Sequence, residues 1–243
     1  MNIGDEATGA HLKAKVYQTD RVSKICPKAA TRDVNQSFKK WGMPNRIKID
    51  NGRPFIVPNS ADIPTLTVFW WVGLGIEVIQ NTPCRPQENG IVECLQGIMC
   101  SWSNPKSQLD HQSLQQRLDD ESDFQRNHYQ MPAKQYKTRI ELYPELENNS
   151  RAYNPELFKM KRVYSFLSKK IWQRTIKKSG QISLFGQPVY IGNQYAGEEI
   201  TMTFDPIEKQ WVFRKYDGTL LKTSKKQVPQ EQEILEFATM SKN

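Results

Sequence analysis

Two carboxylates, Asp50 and Glu93, have the residue types and placement to hold a cation. Asp50 closes the run Arg46-Ile47-Lys48-Ile49-Asp50, which reads as a short strand. Asn51-Gly52 follows as a turn, so the Asp50 side chain is expected at a sheet end rather than in a core. Glu93 falls in the first turns of a helix expected from Pro86 onward. It stands two residues past Ile91, about 200° around a helix at ~100° per residue. That turns it away from the apolar stripe Ile91, Leu95, Ile98 and Trp102. A strand-end Asp and an early-helix Glu that face one cleft can bind a hard divalent cation through oxygen ligands. Such an ion polarises a phosphoryl oxygen and activates water for in-line attack. The competing reading is structural, an exposed turn Asp and a solvated Glu near the favourable end of a helix dipole.

The string around these residues is more specific. Trp41-Gly42-Met43-Pro44, Ile49-Asp50-Asn51-Gly52, Phe55, Leu74-Gly75-Ile76, Pro83 and Arg85-Pro86-Gln87-Glu88-Asn89-Gly90-Ile91-Val92-Glu93 occur in this order. Over roughly residues 1–103 the chain closely resembles the catalytic core of insertion-sequence transposases of the retroviral-integrase (DDE) superfamily. Met131-Pro132-Ala133, Tyr136, Arg139 and Tyr143-Pro144 resemble the segment that follows that core. The resemblance implies an α/β ribonuclease-H-like fold and two-metal phosphoryl transfer on DNA, with Asp, Asp and Glu holding two magnesium (or manganese) ions. Asp50 matches the second Asp and Glu93 the Glu. Gln87 and Asn89, in the same string, can donate hydrogen bonds to DNA backbone oxygens, beside a helix start suited to phosphate.

The chain departs from the family pattern in two places. Forty-two residues separate Asp50 from Glu93, more than the family usually has, and Arg53 to Thr65 is expected to be a surface-loop insertion. Asp5-Glu6-Ala7-Thr8-Gly9 matches the string that opens the family's second strand, so the first catalytic Asp would fall upstream of Met1. Asp5 and Asp20 are the alternatives within the chain. The expectation is an N-terminally truncated core without its first strand, open along the edge beside Leu12–Val16, with weak metal binding at Asp50 and Glu93. Two functional readings follow. One is DNA integration and recombination by a transposase, with negligible strand transfer by this chain alone. The other is a non-catalytic DNA-binding derivative. The implied partners are DNA, as element ends and target, and further copies of the chain on that DNA.

Charge supports a polyanion partner independently. The net charge is +8, distributed as +2 over residues 1–155, +8 over 156–228 and −2 over 229–243. A localised basic segment is the electrostatic footprint of nucleic acid, against the plainer reading of a solubilising basic face. Lys159 to Lys178 holds eight basic side chains and no acidic one, and Lys169, Lys170, Arg174, Lys177 and Lys178 are the expected DNA contacts. The run reads as a helix-like lead-in to four β-runs at 182–191, 199–204, 210–216 and 219–223, the last two joined by Asp217-Gly218. Short strands at this density suggest a small barrel. The elements that must position the carboxylates alternate strand and helix, an α/β pattern.

The expected organisation is therefore an integrase-type core over 1–140, a linker over 141–158, a basic SH3-like DNA-binding barrel over 159–228 and a tail over 229–243. Cys26, Cys84, Cys94 and Cys100 form no Cys-x-x-Cys pair, and His11, His111 and His128 lie far from them, so neither disulfides nor a zinc site is expected. The longest uncharged apolar stretch, Ile63 to Ile76, has 14 residues, short of the ~20 that a spanning helix needs. A cytoplasmic protein, associated with the nucleoid in a bacterium, is expected.

Overall fold

The computed structural model describes residues 1–18, 25–50, 54–55, 64–81, 90–147, 149 and 151–239. They separate into two compact units. Unit 1 comprises Met1–Pro54 and Ile79–Asn154, and unit 2 Phe55–Val78 and Pro155–Asn243. The partition differs from a simple N-terminal and C-terminal division, because 55–78 clusters with the C-terminal chain.

In unit 1, β1 (Asn2–Gly4) and β2 (His11–Ala14) form an antiparallel hairpin with Asn2 opposite Ala14 and Ile3 opposite Lys13. Asp5 closes its turn: the Asp5 N–H donates to Ala10 O at 2.8 Å, and Asp5 Oδ1 accepts from the Thr8 N–H at 2.8 Å. α1 (Pro27–Trp41) starts with Pro at its first turn and buries Ala30, Val34 and Phe38, one residue per turn. Gly42 ends it at φ +82°, where any Cβ would meet the Asn149 side chain at 2.5 Å. β3 (Arg46–Ile49) pairs with β4 (Glu77–Gln80), whose Ile79 and Gln80 belong to this unit, as a separate two-stranded sheet. α3 (Gly90–Ser103) and α4 (His111–Asn127) pack on one another, and α3 also lies against β1. Reciprocal capping boxes, Asp110 with Ser113 and Thr138 with Glu141, start α4 and α5 (Arg139–Leu142).

Two helical faces differ from the sequence expectation. α3 buries Leu95, Met99 and Ser103, whereas Ile91, the start of the expected stripe, is 40% exposed. α4 turns polar groups inward, burying Glu121, Ser122, Gln125 and Arg126. The reason is the edge of β2. Gln125 Oε1 accepts from the His11 N–H at 3.0 Å, Arg126 donates to His11 O, Gln115 Oε1 accepts from the Val16 N–H, and Gln115 Nε2 donates to Ala14 O. Side chains of a helix thus do what a neighbouring strand would do. The expected open edge beside Leu12–Val16 is capped at these positions.

In unit 2, α2 (Leu66–Gly73) buries every residue from Thr67 onward, which explains its unbroken apolar sequence. It packs against α6 (Met160–Ser168) and α7 (Glu231–Thr239). β5 (Trp172–Thr175) pairs with β8 (Glu199–Asp205), β8 with β9 (Gln210–Lys215) and β9 with β10 (Leu220–Ser224), all antiparallel. Trp172, Met202 and Phe213 are in register on its buried face, and Trp211 meets Trp172 and Phe204 edge-on at 5.4 and 5.1 Å. β6 (Gln181–Leu184) and β7 (Gln187–Tyr190) form a hairpin where one continuous β-run was expected. Among the described residues no sheet closes into a barrel. The expected lead-in helix over 159–178 also stops at Ser168, since Trp172–Thr175 is a strand of the sheet.

Candidate functional site

Asp50 directly follows β3 and is exposed. Its position is fixed by the strand before it. Ile49 is buried, and its carbonyl accepts from the Asn81 N–H at 3.2 Å, tying the end of β3 to the residue after β4. Glu93 sits in the first turn of α3 and is exposed. Leu95, two residues on, is buried against Gly4, where any added Cβ would lie 2.4 Å from Leu95 Cδ1. Glu93 therefore occupies the opposite, solvent-facing side of the helix. Both carboxylates belong to unit 1. Gln87 and Asn89 lie outside the described residues, as does Asp20.

Asp5 does not behave as an open ligand. Its Oδ1 also accepts from the Thr8 hydroxyl at 3.0 Å, so that oxygen is committed to the hairpin turn. Among the described residues no group of three or more His, Cys, Asp or Glu gathers where a metal ion could sit. Asp50 and Glu93 are two hard oxygen donors of the kind magnesium or manganese takes.

The basic residues of unit 2 sort into structural and solvent-facing sets. Arg162 is structural, donating to the carbonyls of Gly73 and Leu157 at 2.8 Å each. Lys169 is exposed at the end of α6, and Lys170 is half-buried with its Nζ 4.8 Å from the Phe166 ring centroid. Arg174 lies opposite Ile200, on the core-facing side of β5, and is half-buried, with NH1 on the Gln173 carbonyl at 2.7 Å. Lys177 and Lys178 are exposed in the turn before β6. The five expected contacts are thus strung along a turn, a strand and a second turn rather than gathered on one sheet face.

Sequence reasoning missed Arg214, which is exposed on the outer face of the sheet opposite Thr201, and Lys225 and Lys226, exposed after β10. The +8 of residues 156–228 signalled them only collectively. Lys215 is held by Glu198 at 2.9 Å, and that hydrogen bond raises its pKa.

Cys26, Cys94 and Cys100 are exposed free thiols. His11 is fully buried in packing, whereas His111 and His128 lie at the surface. Among the described residues no helix is long and apolar enough to cross a membrane. No known family model matches the chain, and no curated protein is similar to it.

Proposed function

We propose that this chain is an integrase-type transposase relative that binds DNA through its basic C-terminal segment, 156–228, and by itself transfers strands negligibly. One observation carries the reading: Asp50 sits at a strand end and Glu93 on the solvent side of an early helix turn, in the same unit, as the string from Trp41 to Glu93 requires. A ribonuclease-H-like core for unit 1 belongs to the same proposal.

Asp50 and Glu93 would hold magnesium or manganese, which when bound supplies Lewis-acid polarisation of a phosphoryl oxygen. Among the described residues, Asp5 is poorly placed to join them in clamping the attacking and leaving oxygens, since its Oδ1 accepts from the Thr8 N–H and hydroxyl. Losing an element of such electrostatic stabilisation costs on the order of 10²–10³ in rate. The non-catalytic reading is favoured by Asp5, whose Oδ1 is spent on Thr8.

The test uses the full chain and duplex DNA. Binding should weaken steeply as salt rises, because phosphate contacts release counterions. Cleavage and joining with manganese present should not exceed those of Asp50→Asn. Salt-independent binding, or none, overturns the DNA assignment. Robust turnover abolished by Asp50→Asn overturns the non-catalytic part and leaves the family assignment standing.

A further inference from the structure

A concavity of about 610 Å³ in unit 1 is lined by Trp102, Arg117, Asp120, Glu121 and Phe124, with neither Asp50 nor Glu93 in its lining. Four of these come from one face of α4 at offsets 0, 3, 4 and 7, and Trp102 comes from the end of α3. The aromatic side is firmly built. The Trp102 and Phe124 rings meet edge-on at 5.7 Å, and Tyr129 closes on Trp102 at 5.4 Å and on Phe124 at 6.5 Å. Phe124, which also meets the His128 ring at 6.2 Å, stays 44% exposed and Tyr129 36%, so ring surface remains open to solvent here.

The polar side is acidic. Glu121 is nearly buried and is paired with Arg117, which neutralises it. Asp120 is exposed, and its Oδ1 accepts from Gln116 Nε2 at 2.8 Å, which holds the carboxylate in place. One negative charge therefore remains uncompensated within the lining, beside open aromatic faces. Ring faces carry negative quadrupole density and attract cations. A carboxylate set beside them discriminates further against anions and in favour of guanidinium or ammonium. The same lining is hostile to phosphate, so this concavity does not extend a DNA surface.

We infer that the Trp102–Phe124–Asp120 concavity is a binding site for an organic cation, the guanidinium or ammonium end of a basic side chain presented by a partner protein. The ring faces take its flat or alkyl surface, and Asp120 takes its N–H groups. The inference is independent of the proposed function.

The probe is an acetyl-Gly-Arg-Gly-amide peptide titrated into the ¹⁵N-labelled full chain. The signal is the Trp102 indole N–H, assigned by its loss in Trp102→Phe. A counterpart peptide carries neutral citrulline, which keeps the shape and removes the charge. The expected result is saturable binding in the millimolar range, about tenfold weaker for citrulline and at least threefold weaker in Asp120→Asn. Asp120 is exposed, so that variant keeps the core intact, and Phe124→Leu, which keeps an apolar side chain but no ring, should also weaken binding. Equal binding of the two peptides, unchanged binding in Asp120→Asn, or no shift at saturating millimolar peptide overturns the inference.

Discussion

Arg126 of α4 and His11 of β2, 115 residues apart, are joined by a bond from the guanidinium NH1 to the His11 carbonyl. The guanidinium carbon also lies 4.8 Å from the centroid of the Trp41 ring, at the end of α1. One buried cation therefore ties together a strand edge and two helices. Burial lowers its pKa below the ordinary arginine value, although Asp123 acts in the opposite direction. Replacing Arg126 by Met keeps an unbranched apolar stem and removes both the bond and the charge, leaving a buried carbonyl unpartnered. The expected loss is about 3 kcal/mol. Because the chain has two units, a single melting curve need not be two-state. The discriminating measurement is hydrogen exchange: the amides of β2 should lose protection in Arg126→Met while those of β8 and β9 keep theirs.

His11 also makes unit 1 sensitive to acid. Its side chain is fully buried, with Nδ1 2.8 Å from Ser122 Oγ. Burial first, and then the Arg126 charge, bring its pKa down from 6.5 to about 4. When folded it stays neutral to about pH 4, whereas in the unfolded chain it takes up a proton near 6.5. The unfolded state thus binds more protons between these values, and stability present above pH 6.5 is lost as pH falls toward 4. The full loss is on the order of 3 kcal/mol. Urea titrations of the native chain and of His11→Gln between pH 7 and 4 check this. The variant should show a smaller fall over that window, and parallel curves would remove His11 as the cause.

These two residues also explain where the sequence stopped being legible. Strand ends and helix runs in unit 1 follow from apolar periodicity and from Gly and Pro punctuation, as Gly42 after α1 illustrates. The inward face of α4 is invisible to periodicity because it is made of Ser122, Gln125 and Arg126: Gln125 and Arg126 bond the His11 backbone, and Ser122 meets the His11 ring, all more than a hundred residues away. The hairpin of unit 2 escaped for a different reason. Its turn, Phe185-Gly186, has φ of +49° and +78°. Phe is a poor residue for the first position, held there by ring contacts with Phe69 at 6.1 Å and Trp211 at 5.9 Å. Tertiary packing overrode local preference. Asp217-Gly218, by contrast, announced its turn, with Gly218 at φ +89° and the Lys215 N–H bonded to Thr219 O. The exposed placements of Asp50 and Glu93 were legible because each follows from a local pattern, a strand end and a helix face.

Gly73 offers a test of packing in unit 2. A Cβ at this position would lie 2.0 Å from Phe158 Cε2. Phe158 cannot retreat easily, because its ring stacks on Trp70 at 5.4 Å with 16° between planes. The Gly73 carbonyl also accepts from the Lys159 N–H and from Arg162. Gly73→Ala should destabilise unit 2 by about 2–3 kcal/mol through overpacking. Adding Phe158→Leu frees the space, so the double variant should lose less than the sum of the singles. Additive losses in chemical denaturation would show that the ring is not the obstacle.

The basic turn before β6 gives the sharpest prediction for DNA binding. Lys177 and Lys178 are exposed, in a loop whose shape is set by backbone bonds: the Lys177 N–H donates to Gln181 O, and the Gly180 N–H to Lys177 O, each at 2.8 Å. Neither side chain is needed for that geometry, so Lys177→Gln with Lys178→Gln should leave the fold intact. If both lysines touch phosphates, each contributes about 0.9 to the slope of log affinity against log salt. The double variant should therefore bind duplex DNA more weakly at every sequence tested, with the slope reduced by about 1.8. Arg162→Gln is the contrast, since that guanidinium is engaged by two carbonyls. It should lower the stability of unit 2 and leave the salt slope of the folded protein unchanged. Fluorescence anisotropy over a salt series separates the two outcomes, and an unchanged slope in the lysine variant would move the DNA contact away from this turn, toward Arg214 or Lys225 and Lys226.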